Sequence, residues 1–145
     1  MTTKKYITLI LGVCGLLAIS ILVTNTESTS SEPTNSYIVL ESQDFAKYIT
    51  DKEAVVIDVR TPAEFASGHL SGALNIDSSA PDFQEQLNAL DKSKAYAVYC
   101  RSGNRSATAL KTMRGLNFAA VADLGGGILA WERNRLPICV SSLTC

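Results

Sequence analysis

One cysteine stands out for what surrounds it. Cys100-Arg101-Ser102-Gly103-Asn104-Arg105 sets a thiol at the head of a short polar loop, with a glycine inside and two guanidinium groups close by. Before it, Ala95-Tyr96-Ala97-Val98-Tyr99 reads as a buried strand. From Ser106 the pattern turns helical, with Ala107, Leu110, Met113 and Leu116 about one turn apart. A strand, a tight loop and a helix N-terminus in succession form an anion cradle. Loop amides and first-turn N–H groups lack intrahelical partners and can point at one negative group. A thiol at the mouth of that cradle is biased toward thiolate, and Arg101 and Arg105 strengthen the bias. The chemistry such residues can do is nucleophilic attack on a small anion. It needs no general base, which suits a chain whose single histidine, His69, lies in another motif.

The elements that must position this loop are legible around it. Tyr37 to Leu40 is a short strand, and Ser42 is placed to cap a helix whose apolar face is Phe45, Tyr48 and Ile49. Ala54 to Val59 is a continuous apolar run, the mark of a strand covered on both faces. Thr61 then reads as an N-cap, Pro62 as the first helical residue and Glu64 as the partner that closes a capping box, with Gly68 ending the short helix. His69 to Ile76 is expected to run extended, and Pro81 to Leu90 to form a helix buried through Phe83, Leu87 and Leu90. Ala119 to Leu124 is a last strand, Gly125-Gly126-Gly127 a loop needing backbone freedom, and Ile128 to Arg133 a closing helix. Strands alternating with helices predict a small α/β domain with a mostly parallel central sheet flanked by helices on both faces. In such sheets ligands bind beyond the carboxyl ends of the strands, where Cys100 falls.

The 145 residues leave room for one domain, and a net charge of −1 gives no reason to expect nucleic acid. The N-terminus differs from the rest. Lys4 and Lys5 precede the uncharged run Tyr6 to Val23, and a polar stretch rich in Ser and Thr follows. This pattern predicts export, with residues 1–26 as a cleaved signal or a single retained membrane anchor, 27–36 as a linker, 37–138 as the domain and 139–145 as a cysteine-containing tail. Lipidation at Cys14 is disfavoured by the bulk of Val13. The expected location is the extracytoplasmic face of the cytoplasmic membrane, or the periplasm. Losing Lys4 and Lys5 would take the net charge from −1 to about −3.

Three stretches resemble one family. Asp58-Val59-Arg60-Thr61-Pro62-Ala63-Glu64-Phe65 with Gly68-His69-Leu70-Ser71-Gly72-Ala73 is similar to the first signature of single-domain rhodaneses. Tyr99 to Ser106 resembles their active-site loop, and Gly126-Gly127-Ile128-Leu129-Ala130-Trp131 with Leu136-Pro137 their C-terminal signature. The resemblance spans residues 37 to 138 in order and spacing. It implies a rhodanese fold and sulfurtransferase chemistry without a cofactor. Cys100 would take a sulfane sulfur from thiosulfate or a persulfide donor, become a persulfide, and pass the sulfur to cyanide or a thiol. The backbone from Arg101 through Ser102, Gly103 and Asn104 to Arg105 would form the cradle. Thiosulfate is a small dianion, and two arginines with several amides suit it.

Rival readings share the loop. Cysteine phosphatases and arsenate reductases space their cysteine and arginine by five residues, whereas four separate Cys100 from Arg105. A persulfide carrier, or a sensor of sulfane sulfur or oxidant, would need the same loop without turnover. No Cys-x-x-Cys pair exists for thioredoxin-like chemistry, and no clustered ligands mark a metal site. Asp58, Arg60 and Glu64 read as an ion-pair and capping network beside the loop, His69 as a structural histidine, and Trp131 with Leu129 as cover for the sheet. In an oxidising compartment Cys100 must stay free, and Cys139 and Cys145, with five residues between them, are expected to pair as a disulfide.

Overall fold

The computed structural model describes residues 35–140, where short apolar runs alternate with amphipathic ones. Five runs become strands: β1 (Ser36–Leu40), β2 (Val55–Asp58), β3 (Leu74–Asn75), β4 (Ala95–Tyr99) and β5 (Ala120–Leu124). They form one sheet in the order β1-β5-β4-β2-β3, and every pairing is parallel. Parallel neighbours require crossovers. These contain α1 (Ser42–Asp51), α2 (Pro62–Ala66), α3 (Phe83–Asn88) and α4 (Asn104–Gly115), and α5 (Gly127–Arg133) closes the fold. The parallel α/β class is the one the alternation of runs predicts.

The pleat of β4 divides the core in two. Tyr96, Val98 and Cys100 join Leu87 of α3, Ala109 and Met113 of α4, and Val121 of β5. Ala97 and Tyr99 face the other way, toward Phe45 of α1 and Ile128 and Trp131 of α5. Burying a large apolar side chain contributes about 1.5–3 kcal/mol. Helices as short as α2, α3 and α5 are not stable alone, so these two layers hold them in place. Trp131 covers the sheet as expected, edge-on to Phe45 at 6.3 Å, with its Nε1–H donating to Pro137 O at 2.9 Å.

Several boundaries differ from expectation, each for a local reason. Ser42 is not a cap: it is the first residue of α1, fully buried, and its hydroxyl accepts from Asn134 Nδ2 at 3.1 Å. Helix α4 starts two residues before Ser106, because Gly103 takes a left-handed conformation as its N-cap. The expected helix over 81–90 shortens to α3, its ends tightening into turns closed by Phe83 N–H to Ala80 O and Leu90 N–H to Leu87 O, both 3.1 Å. Of His69 to Ile76, Leu74 and Asn75 alone pair in the sheet, since Gly72 turns the chain at φ +68 and Ala73 N–H closes on Leu70 O.

The chain end also departs from expectation. Cys139 does not begin a free tail. It is buried, and its main chain exchanges both hydrogen bonds with His69, at 2.9 and 2.7 Å. Its sulfur is engaged in a disulfide, while Cys145 lies outside the described residues. So do Cys14 and the run Tyr6 to Val23. Among the described residues, no helix is long and apolar enough to cross a membrane.

Candidate active site

Cys100 follows the last residue of β4, the central strand, at the carboxyl end of the sheet. It is buried, 1 % exposed, and among the described residues it is the free thiol. Gly103, at φ +102, reverses the chain so that its amide points back at the sulfur, N to Sγ 3.1 Å. Ser106, in the first turn of α4, sets its hydroxyl 3.5 Å from the same sulfur and 3.1 Å from Gly103 O. Burial alone would push the thiol pKa up. Hydrogen bonds from the Ser106 hydroxyl and amide and from the Gly103 and Ser102 amides outweigh it, and the pKa falls below the ordinary thiol value.

The loop is held from behind by α5. Ile128 N–H donates to Cys100 O at 2.9 Å and Leu129 N–H to Arg101 O at 3.2 Å. The loop carbonyls are thereby tied to α5, and the amides remain for the sulfur. Gly127 makes this approach feasible. At φ +60, a Cβ there would lie 2.5 Å from Cys100 O and 2.6 Å from both C and O of Arg101. These are backbone contacts that cannot yield, so glycine is required on two counts.

From the front the loop is held by the capping box of α2. Glu64 Oε2 accepts from the Thr61 amide and hydroxyl, both at 3.1 Å, and Thr61 Oγ1 accepts from Glu64 N–H. The same carboxylate takes Arg105 in a two-point ion pair, at 2.8 Å to Nη1 and 2.7 Å to Nη2. Arg105 and the Thr61 cap together hold Glu64 near pKa 2. Glu64 in turn raises Arg105, with a further contribution from the nearby Cys100 sulfur. The guanidinium therefore stands beside the sulfur but already neutralised by one carboxylate. Arg101, Ser102 and Asn104 are exposed.

The other residues of the first signature build the floor. Arg60 is clamped on Asp58 by Nε at 3.0 and 2.9 Å and by Nη2 at 2.6 Å, and it also donates to Gly68 O at 2.6 Å. Both side chains are buried. His69 is structural: Nδ1 lies 3.1 Å from Phe65 O, and its ring stacks on Phe65 at 3.9 Å. A cavity of about 200 Å³ beside the loop is lined by Arg60, Glu64, Gly68, Arg101, Ile128 and Leu129, among others.

Ser106 and Asp123 carry more than their sequence context revealed. Ser106 reads as the end of the loop stretch and the start of a helix, and its place three residues after Gly103 brings its hydroxyl back over the thiol. Asp123 is a charge inside the apolar strand Ala120–Leu124, and that anomaly was the available signal.

Known proteins match this architecture. Residues 41–134 match the family described as Rhodanese-like domain. Thiosulfate sulfurtransferase 16, chloroplastic, of Arabidopsis thaliana is 40 % identical over 91 residues, covering 56 % of this chain and 76 % of that protein. A sulfurtransferase of Allochromatium vinosum is 34 % identical over 100 residues, covering 68 % of this chain and 92 % of that one. A rhodanese-related protein from Thermoplasma volcanium superposes with a TM-score of 0.65 at 31 % identity, over 72 % of this chain and 100 % of that one. A strand-to-helix loop gathered around a lone buried thiol, matched in sequence and in fold, makes this chain a member of the rhodanese-like domain family of sulfurtransferases.

Proposed function

We propose that the protein is a rhodanese-type sulfurtransferase that carries sulfur as a persulfide on Cys100, with thiosulfate or a persulfide as donor and a thiol or cyanide as acceptor. The observation that carries this reading is the convergence of the Gly103 amide and the Ser106 hydroxyl on one buried sulfur of lowered pKa. The thiolate attacks the outer sulfur of thiosulfate, an S–S bond forms as the bond to the sulfonate breaks, and sulfite leaves with the electron pair. The new terminal sulfur is negative and meets the same donors. Attack of the acceptor on that sulfur releases the product and restores the thiolate, so no external oxidant is needed. The adjoining cavity gives an acceptor somewhere to stand beside Arg101.

Purified protein incubated with thiosulfate should gain the mass of one sulfur atom, lose it to cyanide, and form thiocyanate in steady state. Cys100→Ser should abolish all three. Thiocyanate formation at the parent rate by Cys100→Ser would refute the assignment. A single sulfur transfer without turnover would favour the carrier or sensor reading.

Export and the pairing of Cys139 with Cys145 belong to the same reading, motivated by Lys4, Lys5 and the uncharged run after them. Protein recovered from the extracytoplasmic fraction, mapped without reductant, should show Cys139 linked to Cys145 and Cys100 open to alkylation. Recovery from the cytoplasm alone would refute the location. A bridge to Cys100 would refute the pairing.

A further inference from the structure

We propose that Glu64 is the specificity-determining residue for the sulfur donor: by engaging both Nη atoms of Arg105 it withholds that guanidinium from a sulfonate, so the site favours organic persulfides and thiosulfonates, which carry less negative charge than thiosulfate. The pair is two-point, Nη1 to Oε2 at 2.8 Å and Nη2 to Oε1 at 2.7 Å. This is the fork with which a guanidinium would otherwise grip a sulfonate, so donor and carboxylate compete for the same N–H groups. The side chains are 35 % and 29 % exposed, and an approaching anion meets them. Arg105 directly precedes Ser106, whose hydroxyl lies 3.5 Å from Cys100 Sγ, so the competition takes place beside the reacting sulfur.

The carboxylate competes from a fixed position. Its Oε2 also accepts from the Thr61 amide and hydroxyl, both at 3.1 Å, and Glu64 N–H closes the box on Thr61 Oγ1 at 3.3 Å. Swinging Glu64 away from Arg105 would undo the cap of α2.

The remaining charges do not replace Arg105. The cavity beside the loop is lined by the cations Arg60 and Arg101 and by the anions Glu64 and Glu132. Arg60 is clamped on buried Asp58. Among the described residues Arg101 and Glu132 make no ion pair, so the lining sets one unpaired cation against one unpaired anion. A dianion finds no excess of positive charge there. Ile128, Leu129 and Ile138 add apolar surface, which suits the organic part of a donor and not a sulfonate.

The methanethiosulfonate anion isolates the effect of charge. A methyl group replaces one oxygen of thiosulfate, removing one negative charge and keeping the reacting S–S bond. The Cys100 thiolate attacks the outer sulfur, a new S–S bond forms as the bond to the sulfonyl sulfur breaks, and methanesulfinate leaves with the electron pair.

The inference rests on Cys100 being the sulfur-accepting thiol of the proposed function, so one arm of its test reads alkylation alone. Iodoacetate and iodoacetamide both lose iodide to a thiolate and differ in charge. The ratio of their rates at Cys100 is followed by peptide mass in the full chain near neutral pH. In wild type it should not exceed the ratio for the neutral thiol N-acetylcysteinamide. In Glu64→Gln it should rise about three- to tenfold, the scale of a charge-assisted hydrogen bond weakened by solvent. Glutamine keeps an acceptor for the Thr61 cap but offers no charge to Arg105. In an Arg105→Ala background the same substitution should raise the ratio less. An unchanged ratio in Glu64→Gln, or an equal rise without Arg105, would overturn the proposal. So would a wild-type ratio well above that of the neutral thiol, which needs no variant and would mean that Arg105 is already open to anions.

The second arm reads turnover as kcat/KM. The preference for methanethiosulfonate over thiosulfate should shrink about three- to tenfold in Glu64→Gln, and a preference left unchanged would overturn the donor assignment. The expected alkylation ratios with no thiocyanate from either donor would instead refute the sulfurtransferase reading and leave the charge filter at Cys100 standing.

Discussion

Two carboxyl groups flank the Cys100 loop, and their environments drive them in opposite directions. Glu64 stands on the open side against the Arg105 guanidinium, which with the Thr61 cap holds it near pKa 2. Asp123 stands on the core side with no ion pair among the described residues, and burial raises it to about 6. Two differences act together: Asp123 is buried and Glu64 part-exposed, and only Glu64 faces a guanidinium. The outer carboxylate stays ionised and fixes an arginine next to the sulfur. The inner one gives up its proton only near pH 6, so its charge changes over a range in which Glu64 stays ionised.

The largest effect that could break this contrast is on stability. A carboxyl whose folded pKa is raised binds its proton more tightly in the native state. Its contribution is present in full below the unfolded value near 3.8 and is lost as pH rises through about 6. The loss amounts to about 3 kcal/mol at most. Denaturant unfolding of wild type should therefore show falling stability between pH 4 and 6, and Asp123→Asn should lack that slope. An identical slope in the variant would place the titrating group elsewhere.

Next in size is the guanidinium on the outer side. Arg105→Ala removes a cation beside the sulfur and leaves Glu64 unpaired in front of the loop. Use of thiosulfate, as kcat/KM, should fall roughly ten- to a hundredfold, the scale of one charge-assisted hydrogen bond. A neutral persulfide donor should suffer less, because no anionic sulfonate has to be held. Equal losses with both donors would mean that the loop had collapsed, not that an anion contact was lost.

How much of this was legible in the sequence follows from the reach of each interaction. The capping box at Thr61, Pro62 and Glu64 is local, and the structure reproduces it atom for atom. Cys100 and its loop were visible because a strand, a glycine turn and a helix start all leave local signatures. The bond between Glu64 and Arg105 spans 41 residues of chain, and no periodicity carries that information. The same is true of Cys139 docking on His69, which looked like the start of a free tail. The glycine run signalled backbone freedom, but not that Gly127 lies against the carbonyls of Cys100 and Arg101. Ser42 looked like a cap, and a distant partner, Asn134, claimed it instead.

The smallest effect belongs to Glu64, whose sign is opposite to that of Asp123. Its folded pKa is depressed, so its stabilisation is present above the unfolded value near 4.5 and is lost as pH falls through about 2. The pair with Arg105 is about one-third exposed, 35 % and 29 % by side chain, so solvent screens much of the attraction. Glu64→Gln should therefore cost about 1 kcal/mol near pH 7, shared between the ion pair and the charged part of the cap. That cost should vanish near pH 2, where wild-type Glu64 is itself becoming protonated. Together the two groups give a stability profile that climbs on the acid side through Glu64 and declines toward pH 6 through Asp123. The double variant Glu64→Gln/Asp123→Asn should be flatter than either single variant. A single variant that removed both limbs would mean that the two carboxyls are coupled through the loop, not set independently by the groups each one faces.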